Sequence, residues 1–307
     1  LRPPSSRPVL PALAIAFAVT VWGASFVAAR HLLEPESPER AALDPLMLAA
    51  ARFAIASLIF AAPFAIALFR RTISGRDLFR MVILGQIGFS TYFWLQYTGV
   101  KHTNAGVASI LVVGLFPSAT AVLAPLVGEK RLSGRAWAAL LLGFVGVAIL
   151  AMERPGESSG RGKFLVGAAC CVANAFGFAV YSLLSRRWMK KVAPLTMTAG
   201  AMIFGTIGLL AFSLAKGGSG WSSLKSLDAT QWGALGFLSL FCSVFGYFAW
   251  NFALTRIEAS RAAVWIYTEP VIAMGLALVL LHERYGWPAI AGVTAIALSV
   301  AVVSRPS

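Results

Sequence analysis

Acid is scarce in this sequence. Among its 307 residues, 12 Asp and Glu stand against 26 Lys and Arg, and charged residues make up only 12%. Soluble domains carry roughly 25%, so an ordinary water-soluble globule is excluded. Cysteine is scarce too. Cys170, Cys171 and Cys242 lie inside apolar runs; they give no disulfide framework and read as small packing residues. There is no CxxC, no Cys/His cluster and no HExxH, so no metal is expected. A P-loop, a Gly-x-Ser-x-Gly and paired intramembrane aspartates are also missing. Direct use of ATP is therefore not expected, and one intramembrane carboxylate is too little for general acid–base chemistry. The sequence predicts neither an enzyme nor a cofactor.

Long apolar runs fill the space that charge leaves. Hydrophobic residues make up 58% and the mean hydropathy is +0.77. A bilayer-spanning helix needs about 20 mostly apolar residues. Ten segments fit: 9–29, 45–69, 81–100, 103–128, 136–152, 164–185, 192–215, 229–255, 262–281 and 285–304. The first has no Ala-x-Ala cleavage site and reads as a retained helix, not a signal peptide. The gaps are brief, which predicts a single integral membrane bundle.

The formal charge of +14 would suggest nucleic acid in a soluble protein. Here the basic residues sit between apolar runs, where they orient helices, so no nucleic-acid partner is expected. With the N-terminus in the cytoplasm, cytoplasmic gaps hold sixteen Lys and Arg and the opposite gaps nine. The positive-inside rule then puts both termini in the cytoplasm.

The chain also repeats itself. "YFWLQYTGVKHTNAG" from Tyr92 and "YFAWNFALTRIEASR" from Tyr247 each run Tyr-Phe, amide (Gln96, Asn251), base (Lys101, Arg256). Each following span carries a central proline, Pro117 or Pro270, and then an acid, Glu129 or Glu283. Copies five spans apart are inverted in the membrane. The expected fold is an all-α membrane protein of ten transmembrane helices in a 5+5 inverted repeat, with halves at 1–152 and 153–307. Inverted repeats suit a carrier whose halves open alternately to either side.

Several strings resemble the drug/metabolite transporter superfamily, EamA type. They are "VWGASFVAARHLLE" (21–34), Arg52-Phe53, "GVKHTNAGVASIL", Gly128-Glu129, "YSLLSRRW", "ALTRIEASRAAVWIYTEPVIA" and His282-Glu283-Arg284. The ninth-span string is the most specific. Two departures stand out: no Trp near Phe176 or Gly177 in the sixth span, and one extra residue in Glu129-Lys130-Arg131-Leu132. The resemblance implies a multi-pass carrier of the bacterial cytoplasmic (inner) membrane that moves small metabolites, often exporting amino acids. One subgroup is similar to aromatic amino acid exporters. A multidrug or other metabolite exporter of the same fold is the alternative. The implied partners are the lipid bilayer and a small-molecule substrate, and a monomer is compatible with both.

Polar and aromatic groups inside spans are costly unless they face a cavity or a partner. At helical spacing, Gln86, Ser90, Phe93 and Tyr97 share one face of the third span, and Asn174, Phe178 and Tyr181 one face of the sixth. The eighth offers Ser239, Ser243, Tyr247 and Trp250, with Asn251 adjacent. The ninth offers Trp265 and Glu269 one turn apart, with Tyr267 and Thr268 between. These are cavity candidates for an amphipathic solute of amino-acid size. Each also has a plainer reading. Tyr97 and Trp250 fit an aromatic belt at the membrane surface, the hydroxyls can bond their own preceding turn, and Gln86 and Asn174 can bond between helices. Pro117 and Pro270 leave the carbonyls of Val113 and Ile266 without intrahelical donors, and are candidate hinges or fixed bends.

Only Arg52 and Glu269 are charged within spans. Each lies roughly 10 Å from opposite surfaces at 1.5 Å per residue, so straight helices leave them about 10 Å apart along the normal. A direct pair needs tilt. Otherwise Glu269 is a protonated structural group, a site for a substrate ammonium, or a proton-coupling carboxylate. We favour a role in shaping the cavity over that of a dedicated proton relay. Arg52, flanked on its face by Ala49 and Ala56, reads as structural, or as an anchor for a substrate carboxylate.

Overall fold

A computed structural model describes residues 9–33, 43–102, 110–129, 133–152, 161–216, 219–280 and 286–304, and every element among them is helical. In chain order these are α1 (Val9–Leu33), α2 (Pro45–Phe69), α3 (Gly75–Gly85), α4 (Tyr92–His102), α5 (Leu115–Leu123), α6 (Gly134–Met152), α7 (Arg161–Trp188), α8 (Pro194–Ala215), α9 (Ala229–Phe237), α10 (Gly246–Leu254), α11 (Ala259–Val264), α12 (Thr268–Leu280) and α13 (Trp287–Ser304). Three π-helical stretches, Gln86–Thr91, Ile110–Gly114 and Leu238–Phe245, join α3 to α4, precede α5, and join α9 to α10. Short 3-10 turns follow at Ala124–Val127, Ser219–Ser226 and Trp265–Tyr267.

Six helices are long and apolar enough to cross a membrane: Val9–Leu33, Pro45–Phe69, Gly75–Gln96, Leu165–Trp188, Pro194–Ala215 and Ala229–Leu254. Shorter apolar helices, Leu111–Val127, Gly134–Gly146 and Ile290–Ser299, fall where the sequence places its fourth, fifth and tenth spans. Polar side chains close helix starts at the loops. Asp44 accepts from the N–H of Leu46 at 2.9 Å, with Pro45 as the first helical residue. Ser74 with Asp77, and Asp228 with Gln231, form reciprocal capping boxes for α3 and α9. Each removes an orphan donor that the first helical turn cannot satisfy itself.

Helix packing brings distant parts of the chain together. α6 lies along α13 and α2 along α8. α4 and α5 flank α7, while α10 and α12 flank α1. α3 meets α8, and the Leu238–Phe245 stretch meets α2.

The wide turns correct the sequence reading of the third span. A π-helical stretch carries i→i+5 bonds and shifts the helix face that follows it. Gln86 and Ser90 therefore do not share a face with Phe93. Gln86 donates to the carbonyl of Phe204 at 2.8 Å and Ser90 to that of Gly205 at 2.6 Å, both on α8. They act as interhelical fasteners, worth on average about 0.6 kcal/mol in membrane bundles. The two prolines have a common local consequence. The Ile110–Gly114 stretch contains the carbonyl that Pro117 frees, and the Trp265–Tyr267 turn contains the one that Pro270 frees. In both places the backbone leaves α geometry where a donor is missing.

Candidate functional site

Where α1, α4, α5, α7 and α10 converge, the buried side chains are aromatic. Phe178 stacks on Tyr181 with centroids 5.6 Å apart and planes at 10°, and on Trp250 at 6.0 Å and 23°. Trp22 approaches Tyr247 at 5.2 Å and Trp250 at 5.5 Å. Phe116 meets Phe178 at 4.9 Å, and Phe89 meets Tyr247 at 4.7 Å. These separations are in the range where ring pairs attract beyond their buried area. Trp250 is fully buried, so it is not a belt residue at the membrane surface.

The polar edges of this ring cluster are unevenly satisfied. Trp22 donates its indole N–H to the carbonyl of Cys242 at 2.9 Å, and the Cys242 thiol bonds the carbonyl of Val21 at 3.2 Å. The indole N–H of Trp250 is buried without a partner. Asn251 donates to the hydroxyls of Tyr181 at 2.8 Å and Thr198 at 2.9 Å, which leaves its carbonyl oxygen buried and unpaired. Asn174 donates to the carbonyl of Tyr92 at 2.7 Å, and its oxygen is likewise unpaired. A buried polar group without a partner costs about 1–3 kcal/mol. One donor and two acceptors therefore stand ready for a ligand or water.

Arg52 borders the cluster from α2. Its Nε donates to Ser243 Oγ at 2.7 Å, and Ser243 in turn donates to the carbonyl of Leu238, within the wide turn, at 3.1 Å. The guanidinium lies over Phe53 and Phe93, 5.0 and 5.3 Å from the ring centroids. Such contacts stabilise a cation by about 0.5–2 kcal/mol, more where water is excluded. Glu269 is buried on α12, and among the described residues its carboxyl has no hydrogen-bond or ion-pair partner. Its backbone carbonyl abuts α1, where a Cβ on Gly23 would stand 2.9 Å from it. That close approach requires glycine. Arg52 and Glu269 do not form an ion pair among the described residues, yet the charges of both reach Tyr247 and Cys242.

The structure thus gathers Arg52, Ser243, Tyr181, Trp250, Asn251 and Asn174 around one ring cluster, with Glu269 in electrostatic reach. Gln86 and Ser90 point to α8 instead. Tyr267 lies elsewhere: its hydroxyl donates to the carbonyls of Gly114 and Leu140 at 3.1 and 3.2 Å, bracing α12 against α5 and α6. Trp265 is partly buried at the edge of the core in its 3-10 turn. The tighter turn breaks the one-turn spacing expected between Trp265 and Glu269. Pro117 is buried on α5. The side chains of Tyr97 and Pro270, and the His282-Glu283-Arg284 string, lie outside the described residues. Sequence reasoning missed Phe53, Phe89, Phe116 and Thr198, and used Trp22 only as part of a motif. Nothing in their spacing separates them from the other phenylalanines and threonines of apolar spans.

The EamA-like transporter family matches this chain over residues 9–152 and again over 165–305. The chain belongs to the EamA-like transporter family. This EamA-like transporter is 28% identical over 295 residues to an uncharacterized transporter of Archaeoglobus fulgidus, covering 95% of this chain and 98% of that protein. It is 27% identical to a probable terminal-alkyne amino-acid exporter of Streptantibioticus cattleyicolor, over 88% of this chain and 85% of the relative. A crystal structure 19% identical in sequence shares the fold, with a TM-score of 0.75 over 96% of both chains. Family membership makes the chain a multi-pass membrane transporter, and its burial pattern is that of a bundle whose apolar surface faces lipid.

Proposed function

We propose that this EamA-like transporter is a secondary carrier for amino acids with apolar or aromatic side chains. It exports or exchanges them across a bacterial cytoplasmic membrane by alternating access through the ring-lined centre. The observation that carries this reading is a pair of opposite buried charges, Arg52 and Glu269, unpaired with each other beside the aromatic cluster. An isolated charge at this depth is expensive. A zwitterion offsets both costs at once: its carboxylate meets Arg52, its ammonium meets Glu269, and its side chain slots among the rings. The name of the Streptantibioticus relative points the same way.

The architecture proposed is ten spans in two inverted halves with both termini cytoplasmic. Three observations support it. The family matches twice in tandem. The loop charges favour one side. The packing also maps onto itself when each span is exchanged for the one five later: α4 on α7 becomes α10 on α1, α5 on α7 becomes α12 on α1, and α3 on α8 becomes the Leu238–Phe245 stretch on α2. The α2–α8 and α6–α13 pairs map onto themselves.

A specific observation favours a second reading. A lone carboxylate near aromatic rings also suits an organic cation, as in a multidrug exporter. Counterflow of labelled phenylalanine in proteoliposomes separates the two. Competition by amino acids, with little from phenethylamine or phenylpropionate, is expected. Equal competition by the amine selects the cation reading, and absence of any amino-acid flux removes the first.

A further inference from the structure

We propose that Glu129 is the keystone of an ionic latch that closes one end of the transporter, the cytoplasmic end in the topology above. Glu129 follows the 3-10 turn Ala124–Val127, outside the central cluster, yet its side chain is only 3% exposed. Gly128 aims it there. With φ at 82°, Gly128 adopts a left-handed conformation that few other residues tolerate. It turns the chain back so that the N–H of Glu129 closes on the carbonyl of Ala124 at 3.1 Å.

One carboxylate then collects three donors from the other half of the chain. Arg186 Nη1 lies 3.2 Å from Oε1, the backbone N–H of Ala259 donates to Oε1 at 3.1 Å, and Ser260 Oγ donates to Oε2 at 3.4 Å. Arg186 is itself held, since its Nε donates to the carbonyl of Ile257 at 2.7 Å. Glu129 therefore ties the end of the fourth span to the end of the sixth and to the 257–260 turn that opens the ninth. The ion pairs Arg80–Asp77 and Arg261–Glu258 differ: each joins neighbours three residues apart on one helix. The Glu129 cluster crosses from one half to the other. In alternating access, such contacts at one end must break when that end opens. Concentrating them on one carboxylate lets them release together.

The latch rests on the carrier reading, but its test needs no substrate. Cys170, Cys171 and Cys242 are replaced by alanine, and buried Ala263 just behind the turn becomes cysteine. Labelling by a membrane-impermeant maleimide is followed in inside-out and right-side-out vesicles, with melting of the purified protein as the check on folding. Glu129→Gln and Arg186→Gln should each speed labelling from the cytoplasmic face roughly fivefold or more, the population change expected from losing a charge-assisted hydrogen bond. Labelling at the parent rate in a variant that melts normally overturns the latch. Arg186, being partly exposed, decides the matter if Glu129→Gln does not fold. Faster labelling without amino-acid flux would leave the latch standing and remove the substrate reading instead.

Discussion

Arg52 is bonded to Ser243, 2.7 Å away on the wide turn of the eighth span, and not to Glu269, the other charge buried at that depth. The guanidinium is held at Nε by a hydroxyl and on its face by two rings. Its terminal nitrogens stay available for an anion, because a hydroxyl acceptor does not neutralise the charge. Four expectations follow from this site and its neighbours.

Replacing Arg52 by glutamine should weaken binding of zwitterionic substrate about ten- to hundredfold, since a hydrogen bond to a charged group is worth about 1.5–3 kcal/mol. Ser243 keeps its bond to the Leu238 carbonyl, so the wide turn should survive. The quantity to measure is KM in counterflow beside the thermal midpoint. An unchanged KM with a lowered midpoint would make Arg52 purely structural.

Glu269→Gln should weaken substrate binding without uncoupling transport from a pH gradient. Counterflow and gradient-driven uptake should fall by the same factor when both are assayed from pH 5.5 to 8.5. A variant that keeps counterflow but loses only gradient-driven accumulation would identify Glu269 as the coupling carboxylate and defeat the cavity role.

Trp250→Phe is expected to move stability and affinity in opposite directions. Phenylalanine keeps the stacking against Phe178 and removes an N–H that is buried without a partner. Relieving that orphan should raise stability by about 1 kcal/mol, while substrate loses a donor. Melting curves with and without amino acid read both effects. A destabilised variant with unaltered affinity would exclude the indole N–H from the site.

Gly23→Ala should cost about 1–3 kcal/mol through overpacking, because its Cβ would stand 2.8 Å from Ile272 Cβ and 2.9 Å from the Glu269 carbonyl. Gly75→Ala, with nothing within 4 Å, is the matched control. Equal melting of the two would mean that α1 and α12 separate freely at this point.

Hydropathy and short motifs made the broad answer legible. Arg52 and Glu269 stand out in the sequence because a charge inside an apolar run has few structural excuses. Asn251 and Trp250 were legible on the same ground. Gln86 and Ser90 were misjudged as cavity residues because periodicity assumes 3.6 residues per turn, and the Gln86–Thr91 stretch does not keep it. The ring cluster was only partly visible, since a phenylalanine facing the centre and one facing lipid look alike in an apolar helix. Glu129 was hidden for the opposite reason. It sits in a gap between apolar runs, where an acid is ordinarily solvated, and only the fold shows the three donors gathered around it.

The wide turn at Leu238–Phe245 makes helix length part of the transporter's chemistry. Such a stretch holds a surplus residue relative to an α-helix. Deleting one residue there would let the backbone relax into a regular helix, but everything beyond it would rotate by about 100°. Tyr247, Trp250 and Asn251 would swing away from α7 together, emptying one wall of the binding chamber without a single side-chain substitution. A one-residue frame shift inside this helix would therefore act as a switch of specificity, where in an even α-helix it would only slide a lipid-facing surface.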